Sequence, residues 1–121
     1  MTIRVLAIDD SRTMRNMLSY ALAGAGFQVT LAEDGQDGLD KLGACDPDVV
    51  ITDLNMPVMD GFGFIENVRG QSRWLGLPIL ILTTESAEEL KSRARRMGAT
   101  GWIVKPFDEE KLVSAIRRVA S

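Results

Sequence analysis

Five side chains that can take part in chemistry stand at the carboxyl ends of apolar runs in this chain of 121 residues. They are Asp9, Asp10, Asp53, Thr83 and Lys105. Short apolar runs rich in β-branched residues are typical of strands buried on both faces of a parallel sheet. Because the carboxyl ends of such strands meet at one edge of an open α/β sheet, we expect these side chains to lie close together.

The three aspartates predict a cation site. Two carboxylates about 5 Å apart repel each other by roughly 3 kcal/mol at an effective dielectric constant of 20, so a cluster of three needs a cation. Oxygen ligands without cysteine or histidine suit Mg²⁺, which binds few protein ligands and keeps several water molecules. Asp9 and Asp10 could instead serve only to cap the following helix, and that alternative stays open.

A carboxylate beside a magnesium ion can act as a nucleophile toward phosphorus and form an acyl phosphate. Asp53 is the candidate nucleophile, and the Lys105 ammonium and Thr83 hydroxyl can hold the oxygens of a transferred phosphoryl group. Lys105 could also be no more than a salt-bridge partner of the aspartates. The chain contains no histidine, which excludes Ser-His-Asp and Cys-His catalysis and histidine-based zinc sites.

The composition bounds the kind of protein. A length of 121 residues, 45% of them apolar, fits one folded domain over residues 1–121. The single cysteine, Cys45, rules out an internal disulfide and favours a reduced, cytoplasmic setting. The net charge of −3 disfavours general nucleic-acid binding. The chain enters a strand almost at once without a charged leader, and no apolar run is long enough to cross a membrane.

Strand and helix patterns alternate along the chain. The apolar runs predict strands over residues 3–8, 28–32, 49–51, 79–83 and 100–104. Apolar residues at helical spacing follow each strand, and we expect Ser86 to cap the fourth helix and Asp108 the fifth. A loop over residues 71–77 holds Trp74. Five β/α units predict an open, doubly wound α/β fold with helices on both faces of a parallel sheet.

The sequence resembles a response-regulator receiver domain from its first strand to its last helix. The residues that carry the resemblance are Asp9-Asp10, Asp53-Leu54-Asn55-Met56-Pro57, Met59-Asp60-Gly61, Thr83 and Lys105-Pro106-Phe107. The resemblance implies the flavodoxin/CheY-like fold, a five-stranded parallel sheet of strand order 2-1-3-4-5. It also implies a phosphoacceptor switch of two-component signalling, which is not an enzyme beyond catalysing its own phosphorylation and dephosphorylation.

Four residues would form the metal and acceptor site by this resemblance. Asp53 would be phosphorylated by the phosphohistidine of a histidine kinase in a reaction that depends on Mg²⁺. Asp10, the carboxylate of Asp53 and the backbone carbonyl of Asn55 would bind the Mg²⁺ ion. Asp9 would act on the ion through a water molecule.

Other residues would hold the phosphoryl group and transmit its presence. Lys105 and Thr83 would contact its oxygens, and the peptide bond after Lys105 is typically cis in the family. Asn55 and Glu85 occupy the two positions that influence how fast water attacks the acyl phosphate. Trp102 stands where the family usually has a switch tyrosine or phenylalanine. Its larger ring leaves two interpretations open, a switch paired with Thr83 or an ordinary half-buried strand residue.

The subtype with the greatest likeness is the CheY-like chemotaxis regulator, on Asp53-Leu54-Asn55-Met56-Pro57, the long loop before Leu77-Pro78 and Trp102. We expect a stand-alone receiver without an output domain, because the last predicted helix ends at the last residue. The partners implied are a CheA-like histidine kinase and a FliM-like flagellar motor switch protein. Nucleic-acid binding and membrane insertion are not expected, and we expect a monomer. The residues expected to contact the partner are Ala87, Lys91, Trp102, Val104 and Lys111.

Three alternatives stay open. A phosphate sink, or another single-domain receiver in a phosphorelay, would carry the same motifs. An aspartyl-nucleophile phosphatase wants a second acid two residues after the nucleophile, where this chain has Asn55. A flavin or nucleotide carrier on the same fold needs a phosphate-binding loop after the first strand, where Asp9 and Asp10 would repel phosphate.

Overall fold

In the computed structural model, which describes residues 2–120, five parallel strands alternate with five α-helices. The strands are β1 (Arg4–Ile8), β2 (Gln28–Ala32), β3 (Val49–Thr52), β4 (Ile79–Thr83) and β5 (Gly101–Val104). The helices are α1 (Arg12–Gly24), α2 (Gly35–Cys45), α3 (Gly61–Arg69), α4 (Glu88–Met97) and α5 (Glu109–Ala120). The sheet order is β2-β1-β3-β4-β5, which confirms the predicted fold class and strand order. No helix within residues 2–120 has the length and apolar character needed to cross a membrane.

The helices cover both faces of the sheet because successive strand residues point to opposite sides. Leu6 and Ile8 of β1 pack in one core with α2, α3 and α4. Val5 and Ala7 of the same strand pack in a second core with α1 and α5. Both faces are therefore dry, which explains why the central strands read as continuous apolar runs.

The register of the sheet brings the polar residues at the strand ends to one edge. Ile8 of β1 lies opposite Thr52 of β3, so the next residue of each strand, Asp9 and Asp53, emerges at the same level. Thr83 of β4 lies opposite Val104 of β5, which places Lys105 immediately beyond Thr83. Side chains from four of the five strands can therefore meet at this edge.

The predicted cap of the fourth helix is wrong by one residue. Ala87 takes the N-cap position of α4 with extended backbone angles and without a side-chain hydrogen bond. Its carbonyl accepts from the amides of Leu90 and Lys91, so the helix begins after Ala87 and Ser86 lies outside the first turn. The predicted cap of the fifth helix is confirmed, because Asp108 Oδ1 accepts from the backbone of the third residue of α5, Lys111, at 3.1 Å.

Arg69, at the end of α3, joins three separate segments through backbone carbonyls. Its Nη2 donates to the carbonyl of Gly98, just after α4, at 2.8 Å. Its Nη1 donates to the carbonyl of Trp74 at 2.7 Å, at the end of a short 3₁₀ turn (Ser72–Trp74) inside the predicted loop. Burial lowers the pKa of Arg69 from its ordinary value. The guanidinium therefore fixes the ends of α3 and α4 relative to each other.

Candidate functional site

One lysine joins two of the aspartates at the carboxyl edge of the sheet. Lys105 Nζ lies 2.7 Å from Asp9 Oδ2 and 2.8 Å from Asp53 Oδ2. The three side chains are 10%, 2% and 12% exposed, respectively. Burial lowers the pKa of the Lys105 ammonium, but its hydrogen bonds to Asp53 and Asp9 raise it more, so the pKa lies above its ordinary value. The lysine therefore stays charged at neutral pH.

The third aspartate completes an acidic cluster. Carboxylate oxygens of Asp9, Asp10 and Asp53 lie within 4.8 Å of one another, although Asp10 is exposed and Asp9 is buried. A single lysine charge leaves this cluster with an excess of negative charge. The donors are all oxygens, which is the set that Mg²⁺ prefers, and an exposed acid beside two fixed ones leaves room for water ligands. The cluster therefore fits a magnesium ion.

Local hydrogen bonds orient two of the carboxylates. Asp9 Oδ1 accepts from the amide of Ser11 at 2.9 Å, and Asp53 Oδ1 accepts from the amide of Leu54 at 2.7 Å. In each carboxylate the other oxygen binds Lys105. Asp9 and Asp53 are thus held at both oxygens, and their relative geometry is set before any ligand arrives.

Gly61, the first residue of α3, sets the position of the Asp53 main chain. The Gly61 amide donates to the carbonyl of Leu54 at 2.8 Å, and a Cβ atom at position 61 would overlap the carbonyl oxygen of Asp53. Close backbone approach of this kind requires glycine. Asp60 caps the same helix by accepting from the amide of Gly63 at 2.8 Å, so the turn residues Met59-Asp60-Gly61 anchor α3 beside the acidic cluster.

The two residues expected to influence dephosphorylation are in contact. Asn55 Nδ2 donates to Glu85 Oε1 at 3.1 Å, joining the loop after β3 to the loop after β4. The Glu85 amide donates to the hydroxyl of Thr83 at 3.4 Å, and Thr83 is completely buried. The threonine and Glu85 are therefore linked directly beside the acidic edge.

Trp102 is tied to the same loop. Its indole Nε1 donates to the backbone carbonyl of Glu85 at 3.0 Å, while its ring is half-buried against the core that contains α4. The peptide bond between Lys105 and Pro106 is cis, as the resemblance implies. The contact with Glu85 connects Trp102 to Thr83 through one residue, and the switch role stays a prediction.

The residues expected to contact a partner are accessible to different degrees. Ala87, Val104 and Lys111 are exposed, whereas Lys91 and Trp102 are half-buried. Lys91 Nζ lies 3.6 Å from Glu88 Oε1 in the same helix. The five expected docking residues come from the residue before α4, from α4 itself, from β5 and from α5. Their role in docking stays a prediction.

Sequence reasoning missed Arg15, which contacts the loop that carries Asp9 and Asp10. Its Nη1 donates to the backbone carbonyl of Asp9 at 2.8 Å. Its position one turn into α1, the helix that directly follows Asp9 and Asp10, was the available signal. Helical periodicity describes which side chains face the core, and it does not show a long polar side chain that turns back toward the preceding loop.

Val58, in the loop between Asp53 and α3, adopts a positive φ of 69°, a region costly for a β-branched residue. The amide of Met59 donates to the carbonyl of Pro57 at 2.7 Å across this residue. The Val58 side chain is 82% exposed, so it contributes little to packing. We expect Val58→Gly to raise the free energy of unfolding by about 1 kcal/mol, measured by urea denaturation.

The matched control for Val58 is Leu75, another exposed apolar loop residue, whose φ of −60° is ordinary. Leu75→Gly should lower the free energy of unfolding, because glycine loses more backbone entropy on folding and relieves no strain there. A loss of stability in both variants would mean that Val58 carries no backbone strain.

Comparisons with known proteins agree with the fold. A family model described as "Response regulator receiver domain" matches residues 5–117. The "Probable chemotaxis protein CheY" of Rhizobium etli is 41% identical over 118 residues, 97% of this chain and 92% of that protein. The "Chemotaxis protein CheY1" of Helicobacter pylori is 38% identical over 112 residues, covering 91% of this chain and 90% of that protein.

A solved structure gives the same result. The chemotaxis protein CheY4 of Vibrio cholerae has 47% sequence identity and a TM-score of 0.93, covering 98% of this chain and 99% of that chain. These matches are consistent with the order of the strands and the grouping of the acidic residues. The chain belongs to the response-regulator receiver family and is a homologue of the CheY chemotaxis response regulators.

Proposed function

We propose that this protein is a two-component response regulator whose Asp53 accepts a phosphoryl group from a histidine kinase. The observation that carries the proposal is the Lys105 ammonium, which lies between Asp53 and Asp9 at the carboxyl edge of the sheet. Phosphoryl transfer depends mainly on positioning and on neutralising the oxygens of the group in transit. A fixed cation beside a fixed carboxylate meets both needs.

Each residue of the site has a defined part in the reaction. The Asp53 carboxylate forms a bond to phosphorus while the bond from phosphorus to the kinase's histidine nitrogen breaks. Lys105 and the Thr83 hydroxyl receive the phosphoryl oxygens. When bound, Mg²⁺ would neutralise further charge on those oxygens. It would be held by Asp10, Asp53 and the backbone carbonyl of Asn55, with Asp9 acting through water.

Hydrolysis of the acyl phosphate returns the switch to its first state. Water must reach the phosphorus at the mouth of the site, where Asn55 and Glu85 are hydrogen-bonded to each other. We infer that this pair sets the rate of water attack. The protein acts as a switch on its own carboxylate and turns over no separate substrate.

The output is read by another protein. Because homologues named CheY are chemotaxis proteins, we propose a CheA-like kinase as donor and a FliM-like motor switch protein as target, in the cytoplasm. The docking face would contain Ala87, Lys91, Trp102, Val104 and Lys111. Residues 1–121 would act as one receiver domain, monomeric in its resting state.

Phosphotransfer from a purified CheA-type kinase tests the function. We expect transfer of one phosphoryl group in the presence of Mg²⁺ and none in excess EDTA, measured by intact mass. A pull-down of motor switch protein with beryllofluoride-loaded and unloaded protein then separates the outputs. Preferential capture by the loaded form supports a motor regulator, whereas phosphotransfer without capture supports a phosphate sink. Absence of transfer from any phosphodonor would contradict the proposal.

Trp102 fluorescence tests the switch. We expect emission at Trp102 to change when Mg²⁺ and beryllofluoride are added, because Thr83 is linked through Glu85 to the indole. The chain has two tryptophans, so the titration uses Trp74→Phe, which leaves Trp102 alone, with Trp102→Phe as the control. Unchanged emission in Trp74→Phe while the ligand binds would remove Trp102 from the mechanism.

A further inference from the structure

The three carboxylates of the acidic cluster are not held equally. Asp9 and Asp53 each have one oxygen on a backbone amide and the other on Lys105. Within residues 2–120 the carboxylate of Asp10 makes no hydrogen bond or ion pair to the protein, and it is exposed. The place of Asp10 in the cluster therefore depends on the backbone that carries it.

Arg15 fixes that backbone. Its Nη1 donates to the carbonyl of Asp9 at 2.8 Å, and this carbonyl belongs to the peptide that joins Asp9 to Asp10. The Arg15 amide donates to the carbonyl of Ser11 at 2.9 Å, so its side chain projects from the first turn of α1. Holding this peptide plane limits the directions in which the Asp10 side chain can leave the chain.

The charge of Arg15 opposes the binding of a cation nearby. A guanidinium repels a divalent ion, so charge alone would make Arg15 unfavourable for a metal site. Asp37 in α2 and Arg15 line the same open groove on the surface. Burial raises the pKa of Asp37, but the Glu33 amide and Lys41 lower it more, with a contribution from Arg15. The charge of Arg15 is thus partly balanced by a neighbouring carboxylate.

We propose that Arg15 is a positioning residue for the divalent site, acting through its hydrogen bond to the Asp9 carbonyl to hold Asp10 beside Asp9 and Asp53. The proposal rests on the metal site of the proposed function. The hydrogen bond and the charge of Arg15 have opposite effects on cation affinity. Loss of the hydrogen bond weakens cation binding, whereas loss of the positive charge alone strengthens it.

Metal affinity without any phosphodonor is the measurement. Mn²⁺ binding is followed by electron paramagnetic resonance, and Mg²⁺ binding by calorimetry. The variants are Arg15→Met, which removes charge and hydrogen bond, and Arg15→Lys, which keeps the charge but ends one bond short. The matched control is Arg12→Met, the same change at an exposed residue at the start of α1. Thermal melting confirms that each variant is folded.

We expect both Arg15 variants to bind Mn²⁺ about 10-fold more weakly than wild type, the low end of the effect of removing an outer contact to a metal site. Arg12→Met should bind as well as wild type or more tightly. The loss in the Arg15 variants should persist in 0.5 M salt, since salt screens a charge effect but leaves a geometric one. If Arg15→Met does not fold, the Mn²⁺ affinity of Arg15→Lys tests the proposal.

Three results would overturn the proposal. Unchanged or tighter binding by Arg15→Met would mean that Arg15 acts only through its charge. Wild-type affinity in Arg15→Lys would mean that the hydrogen bond to the Asp9 carbonyl is not needed. Wild-type protein that binds neither Mn²⁺ nor Mg²⁺ would overturn both this proposal and the metal site on which it rests.

Discussion

Asp53→Asn is expected to abolish phosphorylation of this protein by acetyl phosphate and Mg²⁺. An amide oxygen is a poor nucleophile toward phosphorus. Asp9 has the same pair of contacts as Asp53, but its side chain is only 2% exposed, against 12% for Asp53. Asparagine has nearly the same shape and keeps one acceptor oxygen, which can bind either the amide of Leu54 or Lys105. The fold should therefore survive, and the loss should be specific to acceptance. Intact mass spectrometry measures it as the disappearance of the single phosphoryl adduct.

Asp40→Asn is the matched control for this change. Asp40 is an exposed residue of α2 whose carboxylate accepts from Gln36 in the same helix, and it does not belong to the acidic cluster of Asp9, Asp10 and Asp53. We expect it to be labelled as fully as wild type. Persistent labelling of Asp53→Asn would show that the phosphoryl group is carried elsewhere and would contradict the assignment of the acceptor.

Lys105→Met is expected to cause the largest loss of stability. It leaves Asp9 and Asp53 facing each other without a counter-charge, and their side chains are only 2% and 12% exposed. Removing one partner of a buried charge group costs about 3 kcal/mol. A loss of this size lowers the melting temperature of a domain of this length by about 10 °C. Differential scanning calorimetry of the metal-free protein measures the shift.

Mg²⁺ and pH provide two checks on this interpretation. Added Mg²⁺ should narrow the gap in melting temperature between Lys105→Met and wild type, since a cation at the cluster relieves the same repulsion. The pKa of Lys105 is raised in the folded protein, so its contribution is complete below the ordinary value of 10.5 and is lost as pH rises through the raised pKa. The gap should therefore close at strongly alkaline pH.

Lys41→Met is the control for loss of a lysine charge. Lys41 pairs with Asp37 at 3.2 Å, but its side chain is 43% exposed. An exposed pair of this kind contributes about 0.5 kcal/mol. A loss for Lys105→Met no larger than that for Lys41→Met would mean that Lys105 does not stabilise the cluster.

The convergence of the acidic residues followed from the sequence because parallel strands end at a common edge. Asp9, Asp53 and Lys105 each come directly after a strand, so alternation of strands and helices was enough to bring them together. The order of the strands was not available from alternation and came from the family resemblance. The sequence therefore predicts which residues meet at the edge of the sheet, but it does not by itself predict the order of the strands.

Side-chain hydrogen bonds between residues far apart in the sequence could not be predicted in the same way. Arg69 binds the carbonyl of Gly98, 29 residues further along the chain, and Asn55 binds Glu85 at a separation of 30 residues. Such contacts depend on how the helices and loops pack, which periodicity does not encode. The predicted cap of α4 was wrong for a local reason. The backbone enters the helix at Ala87, so Ser86 lies one residue too early to cap it.

The glycine that begins α3 has a consequence for genetics. Position 61 carries no reactive group, yet any side chain there would collide with the main chain of Asp53. Substitutions at position 61 should therefore often inactivate this protein, although the residue there has no chemical role of its own. A saturation screen would show position 61 to be as intolerant as the acceptor itself.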